Sequence, residues 1–259
     1  MHGDTIVFFH AHPDDEAIFT GLTMRRLADA GARVVLATAT CGELGQPLIP
    51  LDAGETTAAR RQRELEAACA ELGVSRLVLF GRRDSGMAGW SDNTHPDALA
   101  AACRHTLARR LARLCEQESA AALVHYDNDG IYGHPDHVAV HRIGELAARF
   151  AQITAYQATV DREHLRIAHR TAAGDHLVHG ANSSHPSPYG RVTVEIPLAV
   201  AADEQTLQAK RRAMATHASQ IPPDALELAG FADVYGLEWY LRDGPASVLD
   251  RLGNVHAIV

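Results

Sequence analysis

Residues 5–16 read Thr5-Ile6-Val7-Phe8-Phe9-His10-Ala11-His12-Pro13-Asp14-Asp15-Glu16, an apolar run that ends in a His-Pro-Asp-Asp turn. The run 5–9 is a strand candidate, and 16–30 has helical periodicity up to Gly31, a residue suited to closing a helix. The same alternation continues down the chain. Strand candidates fall at 33–38, 76–80, 121–126 and 154–159, and helix candidates at 56–72, 97–116 and 135–150. Strands separated by helices of this length imply right-handed crossovers and a mainly parallel sheet. The expected fold class is therefore α/β, a Rossmann-like three-layer arrangement.

After about residue 160 the pattern loosens. A short helix is expected at 161–169, a polar loop rich in His, Ser and Pro at 174–189, and a strand at 191–196. A helix at 203–219 and an edge strand at 235–241 follow. The expected organisation is one domain over 1–259, with an α/β core at 1–160 and a more irregular C-terminal elaboration at 161–259.

Composition narrows the function. A formal charge of −8 argues against a nucleic-acid partner, whose phosphates would want a basic face. None of the four Cys forms a C-x-x-C pair, so buried thiols in a reducing compartment are expected rather than disulfides. The chain enters its first strand without a signal-peptide pattern and holds no run of 18 apolar residues. These features predict a cytoplasmic enzyme with no membrane span.

Ligands of parallel sheets bind outside the carboxyl ends of the strands, and two His-Asp motifs fall there. One is His12-Pro13-Asp14-Asp15. The other is Gly133-His134-Pro135-Asp136-His137, after the strand at 121–126. His12 and Asp15, three apart around a turn, can face one point while Asp14 faces elsewhere. Two acidic residues before a helix could merely cap it, but a second His-rich motif at the same edge favours chemistry. In that second motif only one His needs to bind a metal. The other can stabilise an oxyanion or donate a proton, and Asp136 can hold its tautomer. Spacing does not decide between His134 and His137. Two imidazoles and a carboxylate suit one zinc per chain, although iron(II) accepts a similar set. Glu43, just after the second strand, is placed to enter the cleft.

The residues AHPDDE at 11–16 with YGHPDH at 132–137 resemble the LmbE-like (PIG-L) superfamily of zinc-dependent de-N-acetylases. Arg61-x-x-Glu64 ahead of Leu72-Gly73-Val74, and Lys210 through His217-x-Ser219-Gln220, resemble further patterns of that family. Arg83-Asp84-Ser85-Gly86-Met87 is similar to its mycothiol-pathway members, both deacetylase and amidase. The resemblance implies that His12, Asp15 and His137 hold zinc and that Asp14 is the general base. It implies that His134, oriented by Asp136, stabilises the oxyanion or acts as acid, and that Tyr132 reaches the substrate carbonyl. Arg61 and Asp84 would grip sugar hydroxyls. The implied reaction is removal of an N-acetyl group from an N-acetylglucosamine-type moiety of a small molecule. Cleavage of a larger amide, such as a mycothiol conjugate, is the alternative within hydrolases. A non-catalytic sugar- or metal-binding protein is the alternative of another class, and Asp14, which a metal does not need, argues against it.

Overall fold

The computed structural model describes residues 2–172 and 189–253. Five parallel strands form its centre: β1 (Thr5–His10), β2 (Arg33–Thr40), β3 (Arg76–Arg82), β4 (Ala120–Tyr126) and β5 (Thr154–Thr159). Two antiparallel strands, β6 (Leu198–Ala201) and β7 (Leu237–Asp243), extend the sheet beyond β5, giving the order β3-β2-β1-β4-β5-β7-β6. All six residues of β1 are buried, as a strand covered on both faces requires, which is why it reads as an unbroken apolar run. The order runs outward from β1 to β3 on one side and from β4 to β5 on the other. Crossovers therefore diverge between β1 and β4, and the crevice at their carboxyl ends is a topological switch point.

The principal helices are α1 (Asp15–Phe19), α2 (Gly21–Asp29), α3 (Thr57–Leu72), α4 (Arg104–Gln117), α5 (Gly130–Gly133), α6 (Pro135–Ala151) and α7 (Arg162–Ala172). α8 (Glu204–Thr216), α9 (Pro223–Leu226) and α10 (Phe231–Tyr235) follow. α2, α3 and α8 pack together, and α4 packs on α6. Local signals set several ends. Thr56 caps α3 by accepting from the Ala59 amide, and Gly73 closes it in the left-handed region at φ 74°. Asp203 and Thr206 form a reciprocal capping box on α8.

Several elements differ from expectation. The helix predicted at 16–30 is two helices broken at Thr20, whose hydroxyl donates to the Glu16 carbonyl (3.1 Å) and meets His10 Nε2 (2.8 Å). A side chain that competes for backbone groups interrupts the helix. The helix predicted from 97 starts only at Arg104. Upstream of it, Leu99 N donates to Arg83 O (2.9 Å) and Ala100 N to the Ser85 hydroxyl (2.9 Å), which ties that stretch to the end of β3.

The predicted strand at 191–196 is one bridge, Arg191 to Asp161, and a 3₁₀ turn at Thr193–Glu195. Val194 there is 91% exposed, so the alternation buries no face. The strand at 235–241 is β7, and it lies between β5 and β6 rather than at the edge. The loop expected at 174–189 falls outside the described residues up to 188. Cys69 and Cys115 are buried as expected, but Cys103 is exposed just ahead of α4. Among the described residues no helix is long and apolar enough to cross a membrane.

Candidate active site

The chain leaving β1 makes an abrupt turn. Asp14 has φ 110° and ψ −34°, a conformation that side chains bearing a Cβ rarely adopt and that costs of order 1–3 kcal/mol. Four hydrogen bonds hold it there. Its amide donates to Glu16 Oε2 (3.0 Å), its carbonyl accepts from Ala17 N and Ile18 N (3.0 Å each), and Arg61 donates to the Pro13 carbonyl (2.5 Å). Asp15 is thereby turned back on His12, accepting from the His12 amide at 2.8 Å, while Asp14 points to Arg61 at 3.0 Å. The two carboxylates diverge as the spacing suggested. Glu16 is fully buried, and its other oxygen accepts from His217 Nε2 at 2.6 Å. Against burial, Glu16 holds the His217 imidazole above its ordinary pKa.

The second motif is shaped by left-handed residues after β4. Gly130 (φ 60°), Ile131 (φ 64°) and Gly133 (φ 84°) coil the chain into α5. Asp127 stabilises that turn, accepting from Asp129 N (3.1 Å) and Ile131 N (2.8 Å) on one oxygen and from the Thr159 hydroxyl on the other. Pro135 then opens α6, with His134 as its N-cap. His134 Nδ1 accepts from the Asp136 amide (3.1 Å), which leaves the ring proton on Nε2. His137, one turn in, is fully buried, and the Tyr126 ring stacks on it at 4.3 Å and 15°.

His12, Asp15 and His137 converge, with one ligand atom from each within 4.8 Å of the others. His12 Nδ1 lies 3.4 Å from Asp15 Oδ2, and His137 Nε2 lies 3.3 Å from Asp15 Oδ1. His12, His134 and Asp136 form a second such group. The Tyr132 hydroxyl is 3.3 Å from His137 Nε2.

Asp136 meets His134 Nδ1 through its backbone amide, and its carboxylate turns elsewhere. It accepts from Ser85 N (3.0 Å), from the Ser85 hydroxyl and from His12 Nε2 (3.1 Å). A short buried carboxylate reaches the neighbouring β1 loop more readily than the ring on its own N-cap. Ser85 was missed in the sequence, where it was only one letter of a motif.

Burial pushes the Asp14 carboxyl up to about 6, with Arg61 pulling it down and Asp15 adding to the rise. Although burial acts the other way, His137 and His12 hold Asp15 well below the usual carboxylate range. His12 is pushed well above its ordinary value, since Asp136 and Asp15 overcome the effect of burial. Burial, with His12 and His137 alongside, holds His134 well below its own, as a neutral imidazole.

These groups open into a cleft of about 300 Å³ whose lining includes Arg61, Asp84, Met87, Trp90 and Tyr132. Arg61 is buried, and besides Asp14 and Pro13 it binds the Gly42 carbonyl at 2.7 Å. Asp84 accepts from Gly86 N (2.8 Å) and Leu44 N (3.2 Å), and one oxygen lies 3.8 Å from His12 Nε2. Glu43, expected in this cleft, accepts from the Asp84 amide (2.9 Å) and lines a second cavity beside Cys41 and His95. His217, Glu64 and Ser219 are buried, with Glu64 accepting from Ser219 N (3.0 Å) and Oγ (2.6 Å).

Residues 7–148 match the PIG-L family, described as GlcNAc-PI de-N-acetylase. A 1D-myo-inositol 2-acetamido-2-deoxy-alpha-D-glucopyranoside deacetylase of Salinispora arenicola is 36% identical over 246 residues, which cover 85% of this chain and 77% of that protein. A protein of the same name from Thermobispora bispora is 33% identical over 91% of this chain and 86% of its own length. Among solved structures, the N,N'-diacetylchitobiose deacetylase of Pyrococcus horikoshii superposes with a TM-score of 0.60 at 20% identity, covering 93% of this chain and 84% of that one. At that identity the likeness speaks for the fold alone.

Proposed function

Because the chain belongs to the PIG-L family of GlcNAc-PI de-N-acetylases, we propose that it is a metal-dependent amide hydrolase acting on N-acetylated amino sugars. Its substrate in this reading is an N-acetylglucosamine-type glycoside, its metal is zinc, and its products are acetate and a free amino sugar. The observation that carries the proposal is the convergence of His12, Asp15 and His137 beside a carboxylate, Asp14, that turns away from them toward Arg61.

The donor set fits the ion. A tetrahedral zinc with bonds of about 2.0–2.1 Å needs ligand atoms about 3.3–3.4 Å apart. The separations of 3.4 Å and 3.3 Å on the two sides of Asp15 are of that size. The His12, His134 and Asp136 group fits less well, because more of its lone pairs are already engaged. Both Asp136 oxygens already accept from Ser85, and His134 Nδ1 accepts from the Asp136 amide. In this assignment His12 would hold the ion through Nδ1, with Nε2–H donating to Asp136, the carboxylate–histidine arrangement that orients a metal ligand. A divalent ion there would acidify a water and polarise the amide carbonyl.

The rest of the chemistry belongs to the protein. Asp14 takes the proton of the attacking water, and Arg61 fixes the direction of its carboxylate. His134, neutral with its proton on Nε2, donates to the oxyanion of the tetrahedral intermediate. The Tyr132 hydroxyl, on the same cleft wall, adds a second donor. The amine leaves after receiving a proton from Asp14 or His134. Asp84, at the cleft wall, accepts from a sugar hydroxyl, and Arg61 supports the sugar side of the site.

The test is acetate release from an N-acetylglucosaminyl glycoside by zinc-loaded enzyme, with metal content measured in parallel. Turnover that tracks bound zinc supports the reading. Full zinc occupancy of a variant lacking the side chains of His12, Asp15 and His137 would refute the metal site, and no acetate from any N-acetylglucosaminyl glycoside would refute the reaction.

A further inference from the structure

Trp90 is 49% exposed, an unusual position for an indole, and it lines the same cleft as His12, Asp14 and His134. The ring is seated. A Cβ added at Gly86 would lie 2.5 Å from indole Cε3, so the glycine, at φ 67°, is what lets the ring come this close to the backbone.

The loop beneath the ring is tied at several points. The Asn93 amide donates to Ser85 O (2.6 Å) and Met87 O (3.1 Å) and accepts from Gly89 N (3.0 Å), and Arg83 pairs with Asp92 at 2.5 Å. Trp90 N donates to Met87 O at 3.1 Å. The loop is also tied to the chemistry: Ser85 holds Asp136, and Asp84 lies 3.8 Å from His12 Nε2. The indole is therefore held at a set position relative to the reacting centre, with its six-membered ring against Gly86 and about half of the residue's surface open.

We propose that Trp90, with Met87 beside it, is a platform for the aglycone ring of the substrate, and that it makes the enzyme selective for glycosides of a cyclic polyol over amino sugars without a ring aglycone. This rests on the amino-sugar deacetylase reading above. A cyclic polyol has a C–H face that is apolar and an edge of hydroxyls. A fixed indole offers the apolar face a large contact area with little ordering cost, because the ring and its loop are already held. The remainder of the cleft lining includes Gln46 and Gln220, amides able to meet the hydroxyl edge.

The experiment compares N-acetylglucosaminyl-inositol with methyl N-acetylglucosaminide as substrates of the zinc-loaded enzyme. Trp90→Ala should lower kcat/KM on the inositol glycoside by about tenfold, chiefly through KM, and should lose less on the methyl glycoside. Trp90→Phe should restore most of the selectivity. A binding readout stands apart from turnover. The chain has two tryptophans, and Trp239 is buried in β7, so a Trp239→Phe protein reports Trp90 emission directly. Adding the inositol glycoside should shift that emission, and adding the methyl glycoside should shift it less. An equal loss on both substrates, or emission that ignores the inositol glycoside, overturns the platform. If neither substrate releases acetate, the proposed reaction fails, and the emission experiment alone then decides the platform.

Discussion

Replacing Glu16 by Ala tests whether the strained turn at Asp14 is held for catalysis. The Glu16 carboxylate accepts from the Asp14 amide (3.0 Å) and from His217 Nε2 (2.6 Å), and all of its surface is buried. Removing it orphans two buried donors, at about 1–3 kcal/mol each. Relaxation of Asp14 from φ 110° returns about 1–3 kcal/mol of backbone strain. The net loss of stability should be about 2–3 kcal/mol, read as a lower urea midpoint at unchanged slope. Turnover should fall further than stability suggests, by about 10²-fold, since a reacting group displaced by about 1 Å loses on that scale. Glu16→Gln keeps an acceptor for the Asp14 amide and should recover most of the turnover. The assay is kcat at saturating zinc, with zinc content and urea unfolding measured on the same preparation. A Glu16→Ala protein that loses stability yet keeps kcat within threefold would refute the idea that this contact aims the base.

Other outcomes follow from the same geometry. Asp14→Asn should retain the metal while turnover falls by roughly 10²–10⁴-fold, and loss of zinc with activity would make Asp14 a ligand instead. Ser85→Ala frees the Asp136 carboxylate from its anchor and so loosens His12. Zinc affinity should drop by about 10–100-fold, as measured by competition with a chromogenic chelator, and unchanged affinity would show that Ser85 serves only the loop. Removing the metal with a chelator should abolish acetate release reversibly and lower the melting temperature, since an ion at about 100 times its Kd adds about 2.7 kcal/mol to the folded state. A melting curve that ignores both chelator and added zinc would count against a site on these three residues.

Much of the architecture was legible because burial on both faces writes itself as unbroken apolar runs, as in β1, and because glycines mark helix ends, as at Gly73. The two His-Asp motifs were legible for the same reason, each following a strand that was easy to find. What escaped depended on partners distant in sequence. Glu16 reads as an ordinary first-turn acid until His217 is brought against it. Asp136 reads as the natural partner of His134, two residues away, yet it meets that ring only through its amide, while its carboxylate binds Ser85 and His12. The left-handed turn at Asp14 carries no signal at all, since neither glycine nor asparagine marks it. At the C-terminal end, alternation at 191–196 imitates a strand, while the true edge strand, β6, is only four residues long.

The span of the Glu16–His217 contact has a consequence for the order in which the site matures. Its two halves are 201 positions apart, whereas His12, Asp15, His134 and His137 all precede residue 150. Chains emerge from the ribosome N-terminus first, and contacts that close long loops form late. The residues proposed to hold the ion are thus synthesised, together with all five parallel strands, before His217, the partner of Glu16, exists. In a nascent chain of that length Arg61 already faces Asp14, but Glu16 lacks its second partner, so the final seating of its carboxylate under the Asp14 amide waits for His217. In a refolding experiment read by pulsed hydrogen exchange, protection of the Asp14 amide should then arrive after that of the β1 amides, and simultaneous protection would contradict this order.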